Sequence, residues 1–379
     1  MSTHAKDSKS PRRIVVKAGS SLLTYDDGRI DRQRIGKLAR QIREVKGGRD
    51  IVLVTSGAIR TGMERLGLTE RPTAIPQLQA NAAVGQGLLM QVYHDAFYWN
   101  GMTAAQVLLT REGLADRTGY LNASRAFEAL FGYGVVPIVN ENDTVAVEEI
   151  RFGDNDMLAA IVAALVSADL VIVLSDVDGL CELDPETGAI TDRVIPEVAE
   201  VSGDVLRWGK DSTSLAGTGG MVSKLHAALR ATRAGIELVI ANGREPHVIE
   251  RVVRGERLGT RFLATEEGLS SRKRWLAFAP VAAGAVRVND GARDSLVNRN
   301  ASLLPIGVVG VDGEFGEGDL VAITDEAGRE IARGLVSVSS DELLRIQGLR
   351  SDRIAEALGR EAPAAVVHRD NLVVGRFEE

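Results

Sequence analysis

Two clusters of asparagine and aspartate flank a single loop in the middle of the chain. The first, Asn-Glu-Asn-Asp at 140–143, follows a short run rich in β-branched residues; the second, Gly-Asp-Asn-Asp at 153–156, precedes an apolar-periodic segment. In open α/β sheets, ligands bind just beyond the carboxyl ends of the strands. Either cluster alone is also explained by a turn or a helix cap, as at Asp143 or Asn155. Both clusters together, at the end of a buried strand, indicate a site for a small polar ligand.

Two lysines and a glycine-rich loop supply groups that suit phosphate binding. Lys17 ends the first apolar run and precedes Gly19, while Gly-Thr-Gly-Gly at 217–220 opens a helical segment with Lys224 in its first turn. Closely approaching backbone N–H groups and a helix N-terminus favour anions. The alternatives are a surface lysine and a flexible connector, and Asp176 at another strand end either accepts ribose hydroxyls or caps a turn. Together, the two lysines and the glycine-rich loop suit an enzyme that catalyses phosphoryl transfer by positioning its substrates and stabilising charge.

Short apolar strands that alternate with helices must hold these groups in place. The pattern predicts strands at 13–16, 50–55, 102–109, 135–139, 170–174 and 236–241. It predicts helices after an Asp31 cap and at 77–98, 121–131, 158–166 and 221–234. This alternation predicts an α/β fold, a mostly parallel open sheet with helices on both faces.

The pattern changes near residue 265, which indicates a second domain. We predict a first domain over residues 1–265, a charged linker at 266–281, a small mostly-β domain at 282–361 and a tail at 362–379. Residues 282–361 contain nine Arg, no Lys and fourteen Asp or Glu. Because nucleic-acid binding normally needs a basic surface, this acidic domain argues against a nucleic-acid partner.

Composition narrows the class of protein further. The 379 residues carry a formal net charge of −7, and 45% of them are hydrophobic. The single cysteine, Cys181, allows no internal disulfide and fits a reducing cytosol. The polar start does not resemble a signal peptide, and no apolar run approaches the roughly 18 residues that span a bilayer. We therefore expect a cytoplasmic protein that does not bind membranes.

Other nucleotide and metal signatures fail on spacing. The Gly203 to Lys210 segment is not a P-loop, because five residues separate its glycines and Asp211 stands where Ser or Thr is needed. His-Arg-Asp at 368–370 looks like a protein-kinase catalytic loop, but Gly375 replaces the required Asn. No GxGxxG opens the first strand–helix unit, and five scattered histidines with one cysteine offer no zinc site. We predict no metal held by protein side chains alone.

Several motifs resemble those of the amino-acid kinase family, and most closely those of its glutamate-phosphorylating members. They are VVKAGSSLL, IVLVTSGAIRTG, PIVNENDTVA, FGDNDMLAA, LSDVDGL, GTGGMVSKLHAA and VVHRDN. The resemblance covers nearly the whole chain and implies the amino-acid kinase fold with a PUA-like second domain. It implies transfer of the ATP γ-phosphoryl group to the side-chain carboxylate of L-glutamate, the first step of proline synthesis. It also implies Mg²⁺ as cofactor and feedback inhibition by proline.

The resemblance also assigns roles to individual residues. It implies that Lys17 and Lys224 hold the phosphates and the transferring group, and that Asp156 orients the two lysines. The glutamate site is expected to contain Ser56, Asp143, Asn155, Asn140 and Asp154. The ATP site is expected to contain Lys17, Gly19, Ser175, Asp176, Thr218, Gly219, Gly220, Met221, Val222, Ser223 and Lys224.

The predicted partners follow from the same resemblance and from the long apolar helical region. We expect ATP, L-glutamate, a proline effector, a homo-oligomer (dimer or tetramer) and hand-over of the labile product to glutamyl phosphate reductase. Three alternatives remain at this point. They are a relative specific for aspartate, acetylglutamate, carbamate or uridylate, an RNA-binding regulator, and a catalytically inactive regulator.

Overall fold

The computed structural model describes residues 10–25, 29–110, 113–114, 117–145, 155–184, 187–209, 220–265, 282–299, 301–350, 353–360 and 363–375. The chain divides into two compact units. One comprises residues 1–110 and 121–268, and the other comprises residues 111–120 and 269–379. Among the described residues, no helix is both long and apolar enough to cross a membrane.

The first unit alternates strands and helices, as the sequence predicts. Its strands are β1 (Arg13–Ala18), β2 (Asp50–Thr55), β3 (Ala104–Leu109), β4 (Val136–Glu141), β5 (Leu170–Ser175), β6 (Cys181–Leu183), β7 (Ile190–Val194), β8 (Glu197–Val198), β9 (Glu237–Asn242) and β10 (Thr260–Phe262). Its helices are α1 (Ser20–Leu23), α2 (Arg32–Lys46), α3 (Ala58–Leu66), α4 (Ile75–Trp99), α5 (Arg117–Gly132, of which residues 121–132 belong to this unit), α6 (Asn155–Leu165), α7 (Gly203–Trp208), α8 (Met221–Arg233) and α9 (Val248–Val253).

Eight of these strands form one sheet in the order β3-β4-β2-β1-β5-β9-β10-β8. The strands from β3 to β9 in this order run parallel, and β10 is antiparallel to β9. Ile14 and Val16 of β1 pack into a core cluster with α2 and α4 residues, while α6 lies against β1, β2 and β5. Helices therefore cover both faces, which confirms the predicted fold class.

Two helix boundaries show where sequence patterns succeed and where they fail. Asp31 caps α2, because its Oδ1 accepts hydrogen bonds of 3.0 Å from the backbone N–H groups of Gln33 and Arg34. Helix α6 instead begins at Asn155, three residues before the predicted start at 158. The first turn of α6 is polar, so apolar periodicity does not detect it, although Asn155 and Asp156 are both buried.

Helices α3 and α4 approach each other unusually closely, and glycines make this contact possible. A Cβ atom on Gly62 would lie 1.9 Å from the backbone oxygen of Asn81, and one on Gly85 would lie 1.8 Å from that of Ala58. Only glycine leaves room for backbone at this distance. The contact positions the start of α3, directly after the polar end of β2, against the middle of α4.

Replacing Gly85 with alanine is expected to lower the free energy of unfolding by about 3 kcal/mol or more, because the new methyl group meets backbone atoms that cannot rotate away. Gly87→Ala in the same helix is the matched control, since no atom lies within 4 Å of a Cβ built there. That control is expected to stabilise the protein by up to about 1 kcal/mol. Chemical denaturation compares the two variants, and equal stabilities would contradict the close packing.

The second unit contains a five-stranded sheet in the order β12-β11-β13-β14-β15. Its elements are β11 (Gly284–Val288), α10 (Asp290–Arg299), a 3-10 turn (Pro305–Gly307), β12 (Val308–Asp312), β13 (Leu320–Thr324), β14 (Glu330–Val336), α11 (Ser340–Ile346), α12 (Ile354–Leu358) and β15 (Val367–Val374). Strand β15 corrects the predicted tail at 362–379: it pairs antiparallel with β14 and buries Val367 and Leu372 in the core of this unit. The predicted linker at 266–281 lies outside the described residues.

Candidate active site

The carboxyl ends of four neighbouring parallel strands carry predicted site residues. Lys17 lies near the end of β1, Ser56 follows β2, Asn140 lies near the end of β4, and Ser175 ends β5. In the sheet these strands are adjacent, in the order β4-β2-β1-β5. Residues from distant parts of the chain therefore meet at one edge of the sheet, where ligands bind in open α/β folds.

Asp156 lies between two lysines in a buried cluster. Its Oδ1 is 2.6 Å from the Nζ atom of Lys17, and its Oδ2 is 3.2 Å from the Nζ atom of Lys224. The hydroxyl of Ser223 also donates to Oδ2, at 3.2 Å. Side chains alternate along β1, so Lys17 faces the opposite side from Val16 and reaches the first turn of α6, which contains Asp156. The carboxylate thus holds two ammonium groups close together.

The charge of Asp156 is maintained by these neighbours. Burial disfavours the charged carboxylate and by itself would raise its pKa, but Lys17 and Lys224 outweigh burial and hold the pKa of Asp156 below its ordinary value. Asp156 is therefore ionised at neutral pH. With two lysines and one carboxylate, the cluster has an excess of positive charge and favours an anionic ligand.

The predicted ATP-site residues in the described part of the chain lie at strand and helix ends. A Cβ on Gly19 would lie 3.4 Å from the Nζ atom of Lys17, so the backbone passes close to this lysine. Helix α8 begins after Gly220, which supplies no side-chain cap to the first amides. The N-terminus of a helix favours an anionic ligand. The Ser175 hydroxyl donates to Oδ1 of Asp176 at 3.1 Å.

Asn155 is the centre of a second polar cluster. Its Nδ2 donates to the backbone carbonyl of Thr55, to the hydroxyl of Ser56 at 2.8 Å and to Oδ1 of Asn140 at 3.1 Å. Asn140 in turn donates from Nδ2 to Oε1 of Gln86 at 2.8 Å. Three residues predicted for the glutamate site, Ser56, Asn140 and Asn155, are therefore in direct contact. Because Asp156 follows Asn155 in α6, this cluster adjoins the lysine cluster.

Asp143 lies in the turn after β4 and is only partly buried. Its charge acts on Arg71: desolvation and the neighbouring Arg60 lower the pKa of Arg71, and Asp143 opposes them. Asp154, Thr218 and Gly219 lie outside the described residues.

Sequence reasoning missed Gln86, Tyr93 and Arg71. The hydroxyl of Tyr93 lies 2.6 Å from that of Thr55, so both Gln86 and Tyr93 reach the polar cluster around Asn155 from α4. A usable signal was present for Gln86, because it falls on the apolar face of α4 between the buried residues Ala82 and Leu89. Buried polar residues need hydrogen-bond partners, so such a position indicates a tertiary contact.

The sequence profile of the amino acid kinase family matches residues 12–242, which include all the described candidate residues of this site. The chain belongs to the amino acid kinase family. A second profile, that of the PUA domain, matches residues 284–358. This match agrees with the predicted PUA-like second domain and falls within the second unit.

Several curated proteins named glutamate 5-kinase match almost the whole chain. The glutamate 5-kinase of Caldanaerobacter subterraneus subsp. tengcongensis is 47% identical over 96% of this chain and 97% of its own length. That of Moorella thermoacetica is 48% identical over 96% of both chains. That of Chromobacterium violaceum is 46% identical over 98% of both chains. The similarity therefore includes both units.

Proposed function

We propose that this amino acid kinase is a glutamate 5-kinase, which transfers the γ-phosphoryl group of ATP to the side-chain carboxylate of L-glutamate. The product is L-glutamyl 5-phosphate, and the reaction is the first step of proline biosynthesis. The observation that carries the proposal is the buried cluster in which Asp156 contacts both Lys17 and Lys224. The names of the full-length relatives support the choice of glutamate as substrate.

The lysine cluster suits the charge problem of this reaction. A carboxylate that attacks a phosphate brings two anions together, so cations must offset the repulsion at the transferring group. Preorganised groups of this kind contribute on the order of 3 kcal/mol each to transition-state stabilisation. The side chain of glutamate is ionised at neutral pH, so the attack needs no general base. Asp156 is therefore assigned to holding Lys17 and Lys224 in position rather than to proton transfer.

The asparagine cluster suits the amino-acid substrate. Glutamate carries one ammonium group and two carboxylates, so its site needs both hydrogen-bond donors and acceptors. Amide and hydroxyl groups of Ser56, Asn140 and Asn155 offer both, and they are preorganised by their mutual hydrogen bonds. Asp143 supplies a further acceptor with a negative charge, which suits the ammonium group.

Mg²⁺ fits this site as an ion that arrives with the nucleotide. The two oxygens of Asp156 already contact Lys17 and Lys224, so this carboxylate is committed to ammonium groups. Mg²⁺ often keeps several waters and takes its remaining ligands from substrate phosphates. When bound, it would neutralise phosphate charge alongside the two lysines. We also propose Gly19, Ser175, Asp176 and the start of α8 as the surroundings of ATP.

A hydroxamate assay tests the proposed function directly, because hydroxylamine traps an acyl phosphate as it forms. We expect product that depends on both ATP and L-glutamate. Aspartate and acetylglutamate are the matched alternative acceptors in this assay, since each would also form an acyl phosphate. Uridylate and carbamate are tested as acceptors by measuring the release of ADP. Turnover with one of these acceptors but not with glutamate would reject the proposal.

Asp143→Ala and Asn155→Ala are expected to raise the KM for glutamate by about tenfold or more, because each removes a hydrogen-bonding group from a charged substrate. The KM for ATP should change far less, since both residues belong to the proposed glutamate site. Asp204→Ala serves as the control, because the Asp204 side chain is 74% exposed. Steady-state kinetics with each substrate varied in turn provides the measurement. An unchanged KM for glutamate in both variants would remove these residues from the site.

Inhibition by proline, assembly into a dimer or tetramer, and transfer of the product to glutamyl phosphate reductase stay predictions from the family resemblance. Each has a simple test. Proline titration of the hydroxamate assay tests the first, light scattering tests the second, and coupled turnover with the reductase tests the third.

A further inference from the structure

Gln86 is a buried polar residue of α4 whose side chain contacts Asn140 of the proposed glutamate site. It is 9% exposed, and its Oε1 accepts a 2.8 Å hydrogen bond from Nδ2 of Asn140. Within the described part of the chain, its buried Nε2 has no hydrogen-bond partner. An unpaired buried donor costs free energy, so packing alone would favour an apolar residue here. The bond to Asn140 is therefore the contact that needs explanation.

The carbonyl of Thr55 sets the orientation of the amides that follow. A backbone carbonyl can only accept, so the Asn155 atom that faces it is the NH2 group. That NH2 group also faces Asn140, which must present its oxygen there, at 3.1 Å. The NH2 group of Asn140 then points to α4, where only an acceptor fits, and Gln86 supplies one. A reversed Asn140 would place two NH2 groups against each other.

This orientation decides which atom of Asn155 is available to a ligand. In the described part of the chain, the side-chain hydrogen bonds of Asn155 to Thr55, Ser56 and Asn140 are all made by Nδ2, which leaves Oδ1 for a ligand. An oxygen in this position suits an ammonium group, whereas an NH2 group would repel it. The orientation of Asn140 therefore matters for recognition of an amino-acid substrate.

Helix α4 holds both ends of this hydrogen-bonded chain. Tyr93 lies two turns after Gln86 on the same face, and its hydroxyl lies 2.6 Å from that of Thr55. Burial raises the pKa of Tyr93, so its phenol stays protonated. The series of hydrogen bonds thus begins at Tyr93 of α4 and ends at Gln86 of the same helix. It passes through Thr55, Asn155 and Asn140. One rigid element determines the geometry of the whole cluster.

We propose that Gln86 is a positioning residue for the amino-acid substrate. By accepting a hydrogen bond from Asn140, it holds Asn140 and, through it, Asn155 in the orientation that presents Asn155 Oδ1 to the substrate ammonium group. The inference rests on the proposed function, because it assigns the cluster to an amino-acid substrate. It adds a residue of α4 that does not itself contact the substrate.

Gln86→Leu tests the proposal, since it keeps the size of the side chain and removes the acceptor. We expect the KM for glutamate to rise about tenfold while kcat and the KM for ATP stay within about twofold. The melting temperature should change little, because two effects offset each other. The substitution removes the unpaired donor Nε2 of Gln86, but it leaves Nδ2 of Asn140 without its acceptor. Gln86→Glu keeps an oxygen towards Asn140 and is expected to restore the KM to within about threefold of the wild-type value. Gln91→Leu, an exposed glutamine of the same helix, is the matched control.

A second comparison separates positioning from a general structural role. If Gln86 acts through Asn140, then Gln86→Leu should add less than about a twofold change in KM to an Asn140→Ala enzyme. The inference would be overturned if the two substitutions changed the KM for glutamate independently. It would also be overturned if Gln86→Leu left the KM for glutamate unchanged, or raised the KM for glutamate and the KM for ATP equally. Turnover of glutamate by the wild-type protein separates these outcomes from failure of the proposed function. If the wild-type protein does not turn over glutamate, the proposed function is wrong and the inference fails with it.

Discussion

Lys17→Ala and Lys224→Ala are each expected to lower kcat by roughly 10²–10³-fold, as loss of one preorganised charge-stabilising group does. The two Nζ atoms lie 2.6 Å and 3.2 Å from opposite oxygens of Asp156, so both are held in the same small volume. If they act on one phosphoryl group, each matters mainly in the transition state. The KM for glutamate should therefore change less than kcat. Arginine should not restore activity well, because its planar fork cannot replace a compact ammonium group.

Lys37→Ala provides the control for these variants, since Lys37 is an exposed residue of α2. An exposed lysine with no special role is expected to change stability by under about 0.5 kcal/mol and to leave turnover intact. Steady-state kinetics on folded protein, checked by circular dichroism, makes the comparison. A kcat near the wild-type value in either variant would remove that lysine from the mechanism.

Asp156→Asn is expected to lower both activity and stability. It leaves two lysines that are less than a tenth exposed without a neutralising charge, and breaking a buried ion pair in this way costs about 3–5 kcal/mol. The asparagine has the same size, so the effect reports charge rather than shape. We expect kcat to fall by about 10²-fold or more, because the lysines lose the group that orients them.

The stability difference between wild type and Asp156→Asn should depend on pH. The pKa of Asp156 is lowered in the folded protein, so its contribution is fully present above the ordinary pKa of an aspartate. It is lost as pH falls through the lowered folded-state value, below about pH 4. Urea unfolding at pH 7 and in this acid range measures the change. A constant difference across the range would show that the charge of Asp156 does not stabilise the fold.

The strand ends and their polar residues were predictable from the sequence. Apolar runs of three to five residues mark β1, β2, β4 and β5, and in each case a polar residue follows directly. Since parallel strands end at the same edge, Lys17, Ser56, Asn140 and Ser175 were expected at one site before any contact was known. The family motifs then pointed to the chemistry of that site.

The partners of these residues were decided by the tertiary structure. Asp156 and Lys224 are 68 residues apart, and Asn140 and Gln86 are 54 residues apart, so no local pattern relates them. The contact of Asp156 with both lysines depends on the strand order, which brings β1 beneath α6, and on the packing of α8 against α6. In the same way, Gln86 follows Gly85, a glycine at which α4 approaches α3 closely, and its hydrogen bond to Asn140 is a tertiary contact. Sequence periodicity identifies the buried face of an element, but the element packed against that face is chosen by long-range packing.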